Sequence, residues 1–487
     1  MVFSSHIFLL YFLPAFLLVY FLLPARWRNG VLLVASVLFY AWGAPDFVLV
    51  LLASTMVTFY LVRLMDKSPT PGRKRLWCVV ALVVNIGLLA YFKYANFFVD
   101  NLNTLFTALG FGTTTWTRVL LPIGISFFTF QSVTYVVDTY RGVNRPMQKL
   151  TDYMVYIIMF PQLIAGPIVR YNEIADQISD PASRMASAPN CPPGHRILQG
   201  FYRFTIGLAK KVLVADVIGR TVDVALGGDL SAMGMGEAWV TLMAYTMQLY
   251  FDFSGYSDMA IGLGRIMGFR FPENFDNPYI STSVTEFWRR WHITLGTFMR
   301  NYLYIPLGGN RRGLWRTYFN LWVVFLLSGL WHGAGWNFVL WGAYHGFFLV
   351  VERMTGWNKR NSQFSFFNSQ FLRVPLTFVV VMIGWALFRI DDLGQCWTFL
   401  TRLFSFDFIA SSGTGSDFQF LVTLLVALAF AFITLFPFGR KLQQWVFHTD
   451  YSPKQHIVVW LAACLLFFFS VGALAATDFS PFIYFRF

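Results

Sequence analysis

The 487-residue chain is 56% hydrophobic and 19% aromatic, with only 13% charged residues, which excludes a soluble globular protein with a charged surface. Its net charge of +13 lies in short basic clusters between apolar spans, the pattern of the positive-inside rule and not of a nucleic-acid partner. Four scattered cysteines, Cys78, Cys191, Cys396 and Cys464, have neither paired nor metal-site spacing and read as packing residues.

The first segment carries no basic region and no small-residue cleavage site, so it reads as a retained first helix rather than a signal peptide. Apolar stretches follow at 7–23, 76–92, 318–330, 337–351, 374–388, 421–436 and 457–475, each near the ~20 residues a spanning helix needs. With the more interrupted segments, about ten to twelve membrane-embedded helices are expected on hydropathy. The fold class is therefore an all-α polytopic membrane protein that includes broken or re-entrant segments, with the whole of 1–487 forming a single domain.

Basic clusters at 26–28, 63–75, 141–149, 353–360 and 440–454, all assigned to the cytoplasm, give a consistent alternation with both termini outside. The first two clusters flank an apolar stretch broken at Trp42-Gly-Ala-Pro-Asp46, a helical hairpin. The stretch 160–167 is too rich in proline and glycine for a plain span, and such backbone is tolerated at membrane depth only where protein or a water-filled cavity satisfies it. Residues 172–195 read as a soluble loop. In 201–227, Lys210, Lys211, Asp216, Arg220 and Asp223 interrupt the apolar pattern, which fits an interfacial segment or a broken crossing.

The polar residues inside apolar spans are the candidates for chemistry. Asp252 and Asp258 lie six apart, ~120° around a helix after whole turns, so they do not share a face as a paired acid and base would. Pairing with an arginine or a backbone donor from another helix is the better account of them, because unpaired charge in the bilayer is costly, and substrate binding is the alternative. The stretch 265–316 carries eight arginines against three acids. Arg289, Arg290 and Arg300, with Arg311 and Arg312, suit a cytoplasmic vestibule for a phosphate-rich ligand, the plain alternative being an interfacial loop. His292 follows Trp291 in this stretch. His332, after Trp331 and before Gly333, ends a long apolar run where glycine permits close approach; His345 is the third histidine in such a setting. A histidine hydrogen-bonded to a neighbouring helix is the plain alternative for all three. At the C-terminus, Tyr484 is the only hydroxyl in the last seven residues. It is either an aromatic anchor or a group that visits a catalytic pocket.

At these residues the chain resembles the membrane-bound O-acyltransferase superfamily, and more closely its bacterial polysaccharide branch, the membrane subunit of alginate O-acetylation and its relatives. The resemblance runs through Met1-Val-Phe-Ser-Ser5, Tyr91-Phe-Lys-Tyr-Ala-Asn96, Leu121-Pro-Ile-Gly-Ile-Ser126, Leu163-Ile-Ala-Gly-Pro167, Leu249-Tyr-Phe-Asp-Phe-Ser-Gly-Tyr-Ser-Asp-Met-Ala260, Thr285-Glu-Phe-Trp-Arg-Arg-Trp-His292, Leu307-Gly-Gly-Asn310 and Gly329-Leu-Trp-His-Gly333. Their order and spacing make the resemblance specific. The ending from Phe482 to Phe487 resembles a Phe-x-Tyr-Phe-x-Phe tail of peptidoglycan and alginate acetylation systems and of a small partner in teichoic-acid D-alanylation.

The resemblance implies that His332 is the superfamily's near-invariant histidine in a tunnel through the membrane, with His292, Arg289, Arg290, Trp291 and Trp331 lining it. It implies acetyl-CoA as a donor bound from the cytoplasm and no metal. It also implies a polysaccharide acceptor, a secreted or periplasmic hydrolase-fold acetyltransferase as partner, and residence among the lipids of the bacterial inner membrane with the 480–487 tail outside. An alginate-like exopolysaccharide is the favoured acceptor, with peptidoglycan and cellulose open. A polysaccharide transporter or channel subunit is the alternative of another class; it would show inverted repeats and matched interrupted helices, and neither is found.

Overall fold

The computed structural model of the protein describes residues 2–181, 184, 193–357, 370–407, 417–448, 451–476 and 482–483, and every regular element among them is a helix. Five helical stretches among the described residues are long and apolar enough to cross a bilayer: Pro45–Asp66, Pro71–Ala108, Phe371–Arg389, Phe418–Leu435 and Pro453–Ala476. The protein is a multi-pass membrane protein, and this arrangement is the all-helical one expected from its hydropathy. The expected segments 318–330 and 337–351 fall in two further helices that carry buried Asn320, His345 and Glu352. That polar content sets them apart from the five apolar stretches.

The chain packs as two compact units, Met1–Phe201 with Ala260–Pro272, and Tyr202–Met259 with Glu273–Phe487. The first unit opens on a π-helical turn, Ile7–Phe12, running into α1 (Leu13–Leu22). The hairpin of α2 (Arg28–Gly43) and α3 (Val48–Asp66) turns at Pro45–Phe47, where the break at 42–46 was expected. The 38-residue α4 (Pro71–Ala108) is about 57 Å long, nearly twice the hydrocarbon thickness. Phe3, Phe8, Phe12, Phe16 and Phe39 converge on Phe160 with ring centroids 5.2–6.3 Å from it. Such aromatic contacts each add to the burial of apolar area.

The remaining helices of this unit are α5 (Ile125–Arg141), α6 (Leu150–Ile158), α7 (Phe160–Leu163) and α8 (Tyr171–Ser179). The last corrects the expectation of a loop over 172–195. Glu173 folds back onto the Arg170 N–H at 3.0 Å and pairs with the Arg170 guanidinium at 2.6 Å, while Ile174, Ala175 and Ile178 are buried. A capped helix start and an apolar stripe outweigh the polar composition that suggested a loop.

In the second unit the segment left open between interface and broken crossing is helical throughout. It comprises the end of α9 (Pro193–Ala209), a π-helical turn at Lys210–Ala215, and α10 (Asp216–Gly227). It packs on the 32-residue α11 (Met235–Ile266), and the two backbones touch where Gly207 faces Gly255. A Cβ on Gly207 would lie 2.5 Å from the Gly255 carbonyl oxygen, and one on Gly255 would lie 2.7 Å from that of Gly207. Only glycine allows this approach. Two short helices, α12 (Val284–Arg290) and α13 (Ile293–Phe298), follow, then the pair α14 (Leu314–His332) and α15 (Trp336–Thr355). The unit is completed by α16 (Gln370–Arg389), α17 (Leu393–Arg402), α18 (Phe418–Phe432), α19 (Pro437–His448) and α20 (Pro453–Ala476).

Candidate active site

The second unit gathers buried polar side chains along α11. Arg203, Gly207, Lys210 and Lys211 share one helical face and flank the glycine contact. Arg203 and Lys210 reach Asp258 at 2.6 and 2.7 Å, and Arg203 also reaches Glu273 at 2.6 Å. Lys211 pairs with Asp252 at 2.7 Å and with Asp216 at 2.6 Å. The two carboxylates thus stand on either side of the crossing, each with its own cation, as buried charge requires. Asp252 has a second partner: its Oδ2 accepts the backbone N–H of Ile483 at 2.9 Å. The neighbouring Phe482 stacks on Tyr256 with centroids 4.6 Å apart and lies 5.9 Å from Phe253. Phe482 and Ile483 are both buried, so this part of the C-terminal tail is seated in the unit rather than free. Tyr484, the next residue in the chain, lies outside the described residues.

Phe253 leads to the first histidine. The His292 ring stands edge-on to it at 4.8 Å and faces Trp331 at 6.0 Å. Trp331 in turn lies 4.9 Å from His332, whose ring is also flanked by Trp341 at 5.0 Å and Phe388 at 5.1 Å. One indole therefore touches both imidazoles. His292 is 1% exposed and His332 5%, so both are withdrawn from bulk water.

The elements holding these side chains explain their placement. His332 ends α14, and the return into α15 is close because Gly329 and Gly342 sit at the contact. A Cβ on Gly329 would lie 2.2 Å from the Phe338 carbonyl oxygen, and one on Gly342 would lie 2.4 Å from that of Phe325. That approach puts Trp341 against His332. His292 sits between α12 and α13 with φ of +45°, a left-handed conformation costly for a residue with a Cβ. The turn is held by Asn274, whose backbone oxygen accepts the Ile293 N–H at 2.9 Å. Glu352 of α15 caps the other end of α12, accepting the N–H groups of Val284 and Thr285 at 2.5 and 2.9 Å and the Thr285 hydroxyl at 2.7 Å. A carboxylate there satisfies donors that the helix itself leaves open.

The other expected site residues divide. Trp291 is buried, stacked on Phe287 at 5.6 Å and 4.9 Å from Trp385. Arg290 is held by Glu286 at 2.9 Å and Asp276 at 3.3 Å. Arg289 and Arg300 are exposed, as are Arg311 and Arg312, and are not drawn in with the buried imidazoles. His345 is fully buried against Trp288 and Trp341, with centroids at 5.0 and 5.1 Å. Asn274, Trp341, Phe388, Glu352 and Arg203 were not singled out from the sequence. Only Asn274 carried a local signal, lying in the turn-forming stretch Phe271-Pro-Glu-Asn-Phe-Asp-Asn-Pro-Tyr279. Among the described residues no three His, Cys, Asp or Glu side chains gather as a metal site would.

Residues 80–391 match the membrane-bound O-acyltransferase family, a stretch that contains Asp252, Asn274, His292 and His332. The chain is 39% identical to a probable alginate O-acetylase of Pseudomonas aeruginosa and 40% identical to one of Azotobacter vinelandii, over the full length of both chains in each case. It is 36% identical to a peptidoglycan O-acetyltransferase of Helicobacter pylori, over 81% of this chain and 78% of that one. A more distant relative, a teichoic acid D-alanyltransferase of Bacillus subtilis, is 29% identical over 55% of this chain and 68% of its own. The transporter alternative falls away, because a relationship covering the whole chain joins it to enzymes that transfer acyl groups. The chain belongs to the membrane-bound O-acyltransferase family and is an O-acyltransferase.

Proposed function

We propose that this enzyme takes acetyl from cytoplasmic acetyl-CoA and delivers it across the bacterial inner membrane for O-acetylation of an extracytoplasmic polysaccharide, an alginate-like exopolysaccharide before others. The full-length similarity to probable alginate O-acetylases supports the acceptor. The Helicobacter pylori relative favours peptidoglycan as a second reading. The direction follows from charge. Each charge of coenzyme A would cost ~2.3 kcal/mol per 100 mV on crossing, besides its desolvation, whereas an acetyl group is neutral.

The observation that carries the catalytic reading is the contact of one buried indole, that of Trp331, with both His292 and His332. Between them the two imidazoles accept the proton of an attacking hydroxyl and polarise the thioester carbonyl. Arg289 and Arg300, exposed with Arg311 and Arg312, form the cytoplasmic vestibule for the donor's phosphates, and Arg290 extends it. Trp291 and Trp331 wall the acyl path. Asp252 and Asp258 act through what they hold, the seated tail and the helix crossing.

Tyr484 follows Ile483 directly, and the seat of Ile483 supports a role for its phenol as a transient carrier. The phenol oxygen takes the acetyl group from the thioester sulfur, the thiol leaves, and the acyl-tyrosine is presented outside to a secreted hydrolase-fold acetyltransferase. A phenol with a reference pKa of about 10 needs a neighbouring base for this, which the histidines supply. The test is the acetate content of the polymer made by cells carrying His332→Ala or Tyr484→Phe at normal expression. Loss in both is expected. Normal acetate in His332→Ala removes the site, and normal acetate in Tyr484→Phe alone leaves the tail as an anchor.

A further inference from the structure

The hydrogen bonds around His292 fix which of its nitrogens can take a proton. Its Nδ1 lies 3.0 Å from Asn274 Oδ1. That Asn274 atom is an oxygen and not the amide nitrogen, because it also accepts the backbone N–H of Thr294 at 3.3 Å and the Thr294 hydroxyl at 2.9 Å. A backbone N–H can only donate. The other end of the amide, Nδ2, donates to Ser257 Oγ at 3.0 Å, which holds the same orientation. An acceptor facing Nδ1 requires the proton to be there, and a neutral imidazole has only one. Nε2 therefore carries the lone pair. That atom is buried and has no hydrogen-bond partner among the described residues, on a ring set between Phe253 and Trp331.

We propose that Asn274 is a positioning residue for acyl transfer: it holds His292 with its proton on Nδ1 and so presents Nε2 to the hydroxyl that attacks the thioester. This rests on the reading of the buried histidines as the acyl-transfer centre, and it divides their roles. The hydroxyl proton passes to Nε2 as its oxygen bonds the acyl carbon. The carbon–sulfur bond of the thioester breaks, and the proton returns from Nε2 to the leaving thiolate, so no further reactant is needed. His332 is left to polarise the carbonyl. Asn274 supports this atom in two ways. Its side chain sets the tautomer, and its backbone oxygen, through the Ile293 N–H, holds the left-handed turn that aims the ring.

The test uses the full-length protein in liposomes with isotopically labelled histidine, the His292 signals being identified by their loss in His292→Gln. Nitrogen NMR of the wild type is expected to show a protonated Nδ1 and a bare Nε2. Asn274→Asp keeps an acceptor for Nδ1 and Thr294 and should retain the proton on Nδ1. Asn274→Leu removes the acceptor. It should lose the signature and about 10²-fold in kcat, the scale of a displaced general base, with KM for acetyl-CoA nearly unchanged. A wild-type spectrum with the proton on Nε2 overturns the assignment even if Asn274→Leu does not fold. So does a folded Asn274→Leu at the wild-type rate. If instead the spectrum is as expected and His292→Gln acetylates normally, the reading of the site fails and the tautomer stands.

Discussion

Asp252→Asn isolates the seat of the tail. The substitution keeps the shape of the side chain but leaves one acceptor oxygen where the carboxylate has two. In the structure Oδ1 faces Lys211 Nζ at 2.7 Å and Oδ2 faces the Ile483 N–H at 2.9 Å. An asparagine will turn its oxygen toward the ammonium, which sets its own N–H groups against that of Ile483. Lys211 remains satisfied because Asp216 lies 2.6 Å away. The penalty therefore falls on the tail. A buried donor facing no acceptor costs ~1–3 kcal/mol, so the docking equilibrium should weaken by about 5- to 140-fold at 1.4 kcal/mol per tenfold. Ile483→Cys places a thiol at a buried position, and its rate of reaction with a maleimide in detergent-solubilised enzyme reports undocking. Adding Asp252→Asn should raise that rate by the same 5- to 140-fold range, and polymer acetylation should fall with it. An unchanged labelling rate would refute the assignment of Asp252 as the tail's anchor.

Gly207→Ala should lower the thermal stability of the solubilised protein by ~1–3 kcal/mol or more, because the added Cβ would meet the Gly255 carbonyl oxygen at 2.5 Å; an unaltered melting curve would contradict that contact. Replacing Arg289, Arg300, Arg311 and Arg312 singly by glutamine should raise the KM for acetyl-CoA by about 1.5- to 5-fold each, the scale of an exposed ion pair. Added salt should mimic the loss. A fall in expression with KM unmoved would return these arginines to a topological role.

His332 was legible as a candidate because it ends a long apolar run beside tryptophan and glycine, where an ionisable group is out of place without a task, and His292 through the Trp-Arg-Arg-Trp-His292 motif that carries the family resemblance. Their meeting was not. His292 and His332 share Trp331 because Gly329 and Gly342 let α14 and α15 touch, and because a left-handed residue turns α12 into α13. Neither the helix contact nor the sign of a dihedral angle is written in periodicity. Asn274 escaped for the same reason: its partners His292 and Thr294 lie 18 and 20 residues ahead, across that turn. The carboxylates of α11 were visible as misplaced charges. Their partners were hidden in a segment whose lysines broke the apolar pattern, and, for Asp252, at a backbone N–H 231 residues away. The helix at 171–179 was missed because its capping by Glu173 is a local bond that polar composition does not advertise.

The crossing of Gly207 and Gly255 also limits how the second unit can move. Asp258 and Asp252 engage different cations on opposite sides of a backbone contact, so the two helices have one alignment in which every charge is matched. Sliding either by a single turn, ~5.4 Å, would carry both ion pairs out of register and drive a side chain into the space that only glycine fills. Shear, the low-cost motion of most packed helices, is thereby denied to this pair. Whatever opens to admit a substrate must therefore pivot away from this crossing.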